Sequence, residues 1–389
     1  MIDRQSAGAF PAEPHSVFRA PDGKIVHEEM FTRGGFDGPF TYFYHRFPVP
    51  PHRDARVSAR GWPAPVAAAD GPRPLRRRLY QSDRVAPGGM LVDRRTPLLF
   101  NSGLTVLVAR PALTDDVYFA NGDGDELWFL RGGSARLESP CGWLELRGGD
   151  YLWIPKSMIH RWHLAGPVSL MGLEARGGVA LPRSFRNPLG QLRLDAPYSH
   201  RDFRRPQGPV ATFDQVPEGP RELLIKKGGV FTRYALDTSP MDVVGWDGFV
   251  YPFAFPIESY RPKTAPFHLP PTIHATFEGD GFVVCSFVPR LVDYDPRAVP
   301  CPFPHSSVDC DEIVLYVRGD FTSRRGVGAG ALSLHPAGVA HGPHPGAYEG
   351  SLGTKRTDEL AVMVDTFEPL AATAQAAALE DPGYGESWG

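Results

Sequence analysis

His305, Glu312 and His341 are the residues whose types and spacing most clearly suggest chemistry. Glu312 follows His305 by seven residues and opens the apolar run IVLYV, which ends at Arg318-Gly319. Gly330 is followed after five residues by Pro336-Ala337-Gly338, and His341 stands three residues beyond. Two imidazoles and one carboxylate thus fall on two strand-like segments able to pair within one small β-barrel. Divalent iron accepts such ligands, and O₂ chemistry needs vacant positions on the metal for substrate and O₂. Three protein ligands on one face leave that room, whereas four would close the site. Histidines are dense here, with His268, His274, His305, His335, His341 and His344 all between 268 and 344, which favours a metal site over unconnected barrel histidines. His335 sits on the strand leading into the His341 turn, where it can serve the site or pack in the core. His344, in the exposed-looking turn PHPG, reads as a bystander.

The spacing also matches the cupin motif pair, HxHx4E-x6-G followed by G-x5-PxG-x2-H. Gly330, Pro336, Gly338 and His341 complete the second half, while Ser307 replaces the second histidine of the first. That loss turns a four-ligand site into a three-ligand one. An earlier stretch repeats the pattern: Asp125-Glu126 with Gly133 echoes Asp311-Glu312 with Gly319, and Gly149, Pro155 and His160 echo Gly330, Pro336 and His341. Phe119 stands seven residues before Glu126, where the second copy has His305, and nearby His163 is out of phase. The first copy is therefore expected to be structural and metal-free, one half of a duplication.

The elements that must position these groups are strands. LTVLVARP, VYFANGDGDELWFLRGG, GWLELRGGDYLWIP and VSLMGLEARG have strand composition, cut by Gly, Asp and Pro. With 42 Gly, 41 Pro, 24 Phe, 13 Tyr and 7 Trp in 389 residues, the chain reads as all-β, large enough for one large or two moderate domains. The expected fold is a pair of cupin-like, double-stranded β-helix (jelly-roll) barrels with a short C-terminal helix in the Ala-rich 369–380. The expected division is an N-terminal β domain over 1–240, with the metal-free barrel, and a C-terminal cupin domain over 241–389 with the iron site. A short strand is expected within 38–52, where His45 and His52 read as surface or packing residues, and 201–205 reads as a solvated charge cluster. A net charge of −3 shows no basic bias toward nucleic acid or anionic membrane. Four cysteines without CxxC spacing, no apolar leader and no 18-residue apolar run lead to the expectation of a soluble, cytoplasmic protein.

The stretch RGDF…GAGALSLHPAGVAHGPHPG…RTDELAVMVDTFEPL, with GWDGF and FHLPPTIHATF upstream, resembles homogentisate 1,2-dioxygenases. The likeness is specific around SLHPAGVAHGPHPG and loosest before about residue 120. It implies a cupin-type oligomer (dimer, trimer or hexamer) that uses Fe(II) and O₂ to open the ring of homogentisate. The product would be maleylacetoacetate, in tyrosine and phenylalanine breakdown. By the resemblance, His305, Glu312 and His341 correspond to the iron ligands and His335 to a histidine lining the substrate site. His268 corresponds to the general base, with His274 as the alternative. Phe303, Phe321 and Arg324 stand where studied members carry two tyrosines and a lysine facing the substrate's carboxylate arm, and His305 to Glu312 is one residue longer. An arginine can grip a carboxylate in bidentate fashion. The substrate is homogentisate or a related hydroquinone such as gentisate. The competing classes are a metal-binding cupin isomerase or sensor without O₂ chemistry, and a storage-type bicupin without metal.

Overall fold

The strand Asp311–Arg318 is buried along all but its last residue, because it lies in the middle of a sheet covered on both faces. A computed structural model describes residues 3–49, 52–69, 74–319 and 327–387. Two seven-stranded sheets dominate it. In the first, Asp125–Gly132 lies between Asp150–Ile154 and Ser169–Ala175, followed outward by Leu104–Ala109 and Thr96–Phe100. A three-stranded sheet of Gly142–Arg147, Ser134–Ser139 and Arg161–Leu164 faces it, joined by the fully buried Trp128 and Trp162, edge to face at 6.2 Å. In the second large sheet, Asp311–Arg318 lies between Leu360–Thr366 and Ala331–His335, with Phe282–Phe287 and Ala275–Gly279 beyond. The all-β cupin architecture expected from the sequence is what the chain adopts.

The two halves exchange edge strands. Arg78–Gln81, which precedes the first barrel, pairs with Ala331–His335 of the second, and Ala371–Ala372, which follows the second, pairs with Thr96–Phe100 of the first. Phe253–Pro256 also joins the first sheet, and Val243–Gly248 pairs with Phe40–His45 and Gln5–Gly8. The expected division at residue 240 is therefore crossed by pairings in both directions. Between the large sheets, Tyr151 packs on Phe277 at 5.3 Å, and its hydroxyl bonds the Ser286 hydroxyl at 2.9 Å. One core runs through both halves.

Local readings fare unevenly. The terminal helix is the short Ala374–Leu379, capped by the Thr373 hydroxyl, since the residues just before it serve as an edge strand. The cluster at 201–205 is not simply solvated: Phe203 is buried, Arg204 pairs with Asp150, and Arg205 pairs with Asp3 at 2.8 Å. His45 is buried between Asp242 at 2.7 Å and Glu29 at 3.0 Å, a partnership of residues distant in the chain. His344 is also buried, bonded to the Ser387 hydroxyl at 2.7 Å, so its turn is not exposed. Among the described residues no helix is long and apolar enough to cross a membrane.

Candidate metal centre

Strand register assembles the centre. Glu312 and His335 lie directly opposite on neighbouring antiparallel strands, so their side chains leave the sheet on the same face. The His335 Nδ1–H donates to Glu312 Oε1 at 2.6 Å. His305 and His341 are likewise opposite, exchanging two backbone hydrogen bonds of 2.8 Å, which aims both imidazoles to one side. The turn delivering His341 needs Gly338, whose φ of 77° is a left-handed conformation that side chains resist. Asp311 holds that turn by accepting from the Ala337 N–H at 2.7 Å and fixes the strand end through Leu370 N–H at 2.8 Å.

One ligand atom each from His305, Glu312 and His341 lies within 4.8 Å of the others. Nε2 of His305 is 3.8 Å from Glu312 Oε2, and Nε2 of His341 is 3.7 Å from Oε1. Donors ~2.1 Å from a shared ion stand at such separations. Both Nδ1 atoms face main-chain carbonyls, His305 toward Phe303 at 3.2 Å and His341 toward Val339 at 2.9 Å. Each carbonyl fixes the proton on Nδ1 and leaves the Nε2 lone pair to the centre. Nε2 of His341 is buried with no hydrogen-bond partner among the described residues, an orphan that a cation would satisfy. Burial would raise the Glu312 pKa, but the imidazoles gathered around it, with His335 hydrogen-bonded to it, hold it well below the usual carboxylate value. The residues fit a divalent ion.

The other expected site residues lie at unequal distances. His335 is fully buried and stacks on His341 at 4.6 Å. Phe303, about half exposed, stands between His305 at 6.0 Å and His268 at 5.1 Å, both edge-on. His268 Nδ1 faces Asp293 at 3.4 Å. His274 lines the same small cavity as His268 but is buried, and burial pushes its pKa down to about 3. Phe321 and Arg324 lie outside the described residues. Tyr384 was not singled out from the sequence, yet its hydroxyl lies 3.3 Å from His335 Nε2.

The first barrel repeats this frame with other contents. Phe119 and His160 exchange two backbone hydrogen bonds of 2.9 Å, and His160 Nδ1 faces the Met158 carbonyl at 2.9 Å. Glu126 pairs with the guanidinium of Arg95 and accepts from Asn121 at 2.9 Å and Trp128 at 2.8 Å. Arg95 is stacked among Trp62, Phe119 and Trp128, whose ring centres lie 4.2, 4.7 and 5.0 Å from its central carbon.

Two cupin barrels, one with a three-donor centre on facing strands, define a double-barrel cupin with a candidate mononuclear metal site. Comparison with known proteins narrows this. The profile described as "Homogentisate 1,2-dioxygenase N-terminal" matches residues 95–257. A protein of Saccharolobus solfataricus, provisionally named a dioxygenase, is 34% identical over 391 residues, covering 100% of this chain and 99% of the relative. The homogentisate 1,2-dioxygenase of Nitrobacter hamburgensis is 30% identical over 292 residues, or 70% of this chain and 63% of that protein. The chain belongs to the homogentisate 1,2-dioxygenase family. Among solved structures, a cupin barrel protein from Leptotrichia buccalis aligns over 75% of this chain and 96% of its own at 8% identity, with a TM-score of 0.34, which adds nothing to the topology above.

Proposed function

We propose that this chain is an Fe(II)-dependent ring-cleaving dioxygenase that opens homogentisate, or a closely related hydroquinone, with O₂. Its product from homogentisate is maleylacetoacetate, an intermediate of tyrosine and phenylalanine breakdown. The carrying observation is the convergence of His305, Glu312 and His341, with an orphaned Nε2, in a chain of this family. These three side chains hold the ion, and bound iron supplies Lewis acidity toward the phenol and electrons toward O₂. His335 keeps Glu312 oriented through its 2.6 Å bond. His268 is the base: Asp293, 3.4 Å from its Nδ1, favours the tautomer whose Nε2 can take a phenolic proton. The ring of Phe303 walls the approach and keeps water from the reacting ring. Arg324 is the proposed partner of the substrate carboxylate. The protein works as a cytoplasmic homo-oligomer.

Phe303 also favours a second reading of the ring substituent. Where family members place a tyrosine, this chain offers no hydroxyl, so gentisate or another substituted hydroquinone competes with homogentisate as substrate. Anaerobic Fe(II) loading followed by O₂ uptake with homogentisate, gentisate and unsubstituted hydroquinone tests both. O₂ uptake and a yellow ring-opened product are expected with at least one. Silence with all three removes the proposal, and metal retained without O₂ uptake points to the isomerase or sensor class instead.

A further inference from the structure

Tyr384 lies 72 residues beyond Glu312, in a turn near the chain's end with no expected chemistry. Its ring is nonetheless buried, with its hydroxyl 3.3 Å from Nε2 of His335. His335 donates from Nδ1 to Glu312, so in the neutral imidazole Nε2 carries a lone pair and the tyrosine is the donor. The result is a continuous chain of bonds, Tyr384 to His335 to Glu312, whose last member is grouped with His305 and His341. Two attachments hold the turn in place. Glu380, just before it, accepts from Arg76 at 3.0 Å and Arg78 at 2.6 Å, while the Asp381 N–H bonds the Leu79 carbonyl at 2.7 Å. Ser387, at its far end, bonds His344 at 2.7 Å and the Tyr384 carbonyl at 2.6 Å. Arg78 and Leu79 belong to the exchanged strand that pairs beside His335. The segment 380–387 is thus tied to the sheet edge that carries the centre.

We propose that Tyr384, held by this turn, is a positioning residue of the metal centre, orienting Glu312 through His335. The inference rests on the metal-site reading above. A carboxylate free to rotate offers either oxygen or both to an ion; one held at Oε1 by His335 presents Oε2 on the side of His305. Removing an orienting partner of this kind typically weakens metal binding ~10–100-fold. The test titrates full-length protein with Co(II), whose visible absorption reports coordination. Wild type should bind one equivalent. Tyr384→Phe, which keeps the ring and its packing, should bind at least ~10-fold more weakly with an altered band pattern. Ser387→Ala, which loosens the turn but keeps the phenol, should lose roughly threefold. Wild-type affinity and spectrum in Tyr384→Phe would overturn the proposal while leaving the site reading intact. Absence of Co(II) binding in wild type would instead sink the site reading itself. Melting curves of the metal-free proteins separate misfolding from metal loss. Should Tyr384→Phe fail to fold, unchanged affinity in Ser387→Ala overturns the proposal.

Discussion

Replacing Arg95 with methionine should destabilise the first barrel, by an amount that depends on pH. Arg95 and Glu126 are both about 1–2% exposed at their side chains, and the guanidinium lies among three aromatic rings. Burial would raise the Glu126 pKa, but the charge of Arg95, then His160 and the Trp128 hydrogen bond, bring it down from 4.5 to about 2. That difference corresponds to roughly 3 kcal/mol. Breaking one side of a buried pair costs ~3–5 kcal/mol in general, so the two figures agree. A depressed carboxylate pKa stabilises the fold above the unfolded value and ceases to do so as pH falls through the folded one. The contribution is therefore full above about 4.5 and disappears toward 2. In Arg95→Met, Glu126 keeps a proton at neutral pH because burial is no longer opposed by a cation. Urea unfolding of wild type and variant from pH 7 down to pH 2.5 should show a penalty of ~3–5 kcal/mol at neutrality that shrinks as the pH drops. Methionine at both 95 and 126 should recover much of the loss. A penalty below ~1 kcal/mol, or one equal at both ends of the pH range, would refute the reasoning.

Asp115 is fully buried, and desolvation raises its pKa from 3.8 to about 6 despite hydrogen bonds from the Val92 and Trp162 main chain. Its folded form holds the extra proton, so stability falls as pH rises from 3.8 through 6; Asp115→Asn should stabilise at pH 7 by up to ~3 kcal/mol and not at pH 3.5, read by urea unfolding. For His45, burial opposes charge, but hydrogen bonds to Asp242 and Glu29 raise the pKa from 6.5 to about 9. That stabilisation is complete below 6.5 and lost as pH rises through 9, so the penalty of His45→Gln, ~2–3 kcal/mol near pH 6, should shrink by pH 10. Glu312→Gln and His341→Ala should each leave purified protein without its equivalent of metal, by elemental analysis, while the melting curves of the metal-free proteins stay close. Phe119→His together with Arg95→Ala should give the first barrel a second Co(II) equivalent, seen as doubled stoichiometry in the titration.

The centre was legible because it is local and periodic. Glu312 and His335 sit on apolar runs recognisable as strands, and the turn to His341 has a Pro-x-Gly whose glycine adopts the left-handed φ that such turns demand. The duplication was readable for the same reason, down to Phe119 standing in the place of His305, since each motif fits within some forty residues. Long-range pairing was not readable. Nothing in 78–81 or 371–372 announces that each strand will cross to the other barrel, because a short edge strand is chosen by the sheet beside it. Arg95 lies 31 residues before the carboxylate it neutralises, and His45 lies 197 before Asp242. No periodicity links such partners. His344 looked exposed because its turn is rich in Pro and Gly, and Ser387 covers it from the far end of the chain.

The two barrels together suggest why the duplication could be lopsided and still fold. Each directs a buried glutamate from its central strand toward a histidine whose Nδ1 is tied to a carbonyl two residues back and whose Nε2 has no hydrogen-bond partner among the described residues. A buried carboxylate in that position requires positive charge, and its chemical source is a separate matter. In the first barrel the charge is a guanidinium, which needs aromatic faces around it, and Phe119 and Trp128 supply two of them. In the second, His305 replaces the phenylalanine, and the ring of Phe303 stands 6.0 Å from it. A side chain can neutralise a carboxylate but cannot offer vacant coordination positions. Two differences therefore separate the barrels: the guanidinium of Arg95 beside Glu126, and Phe119 in the place where the second barrel has His305.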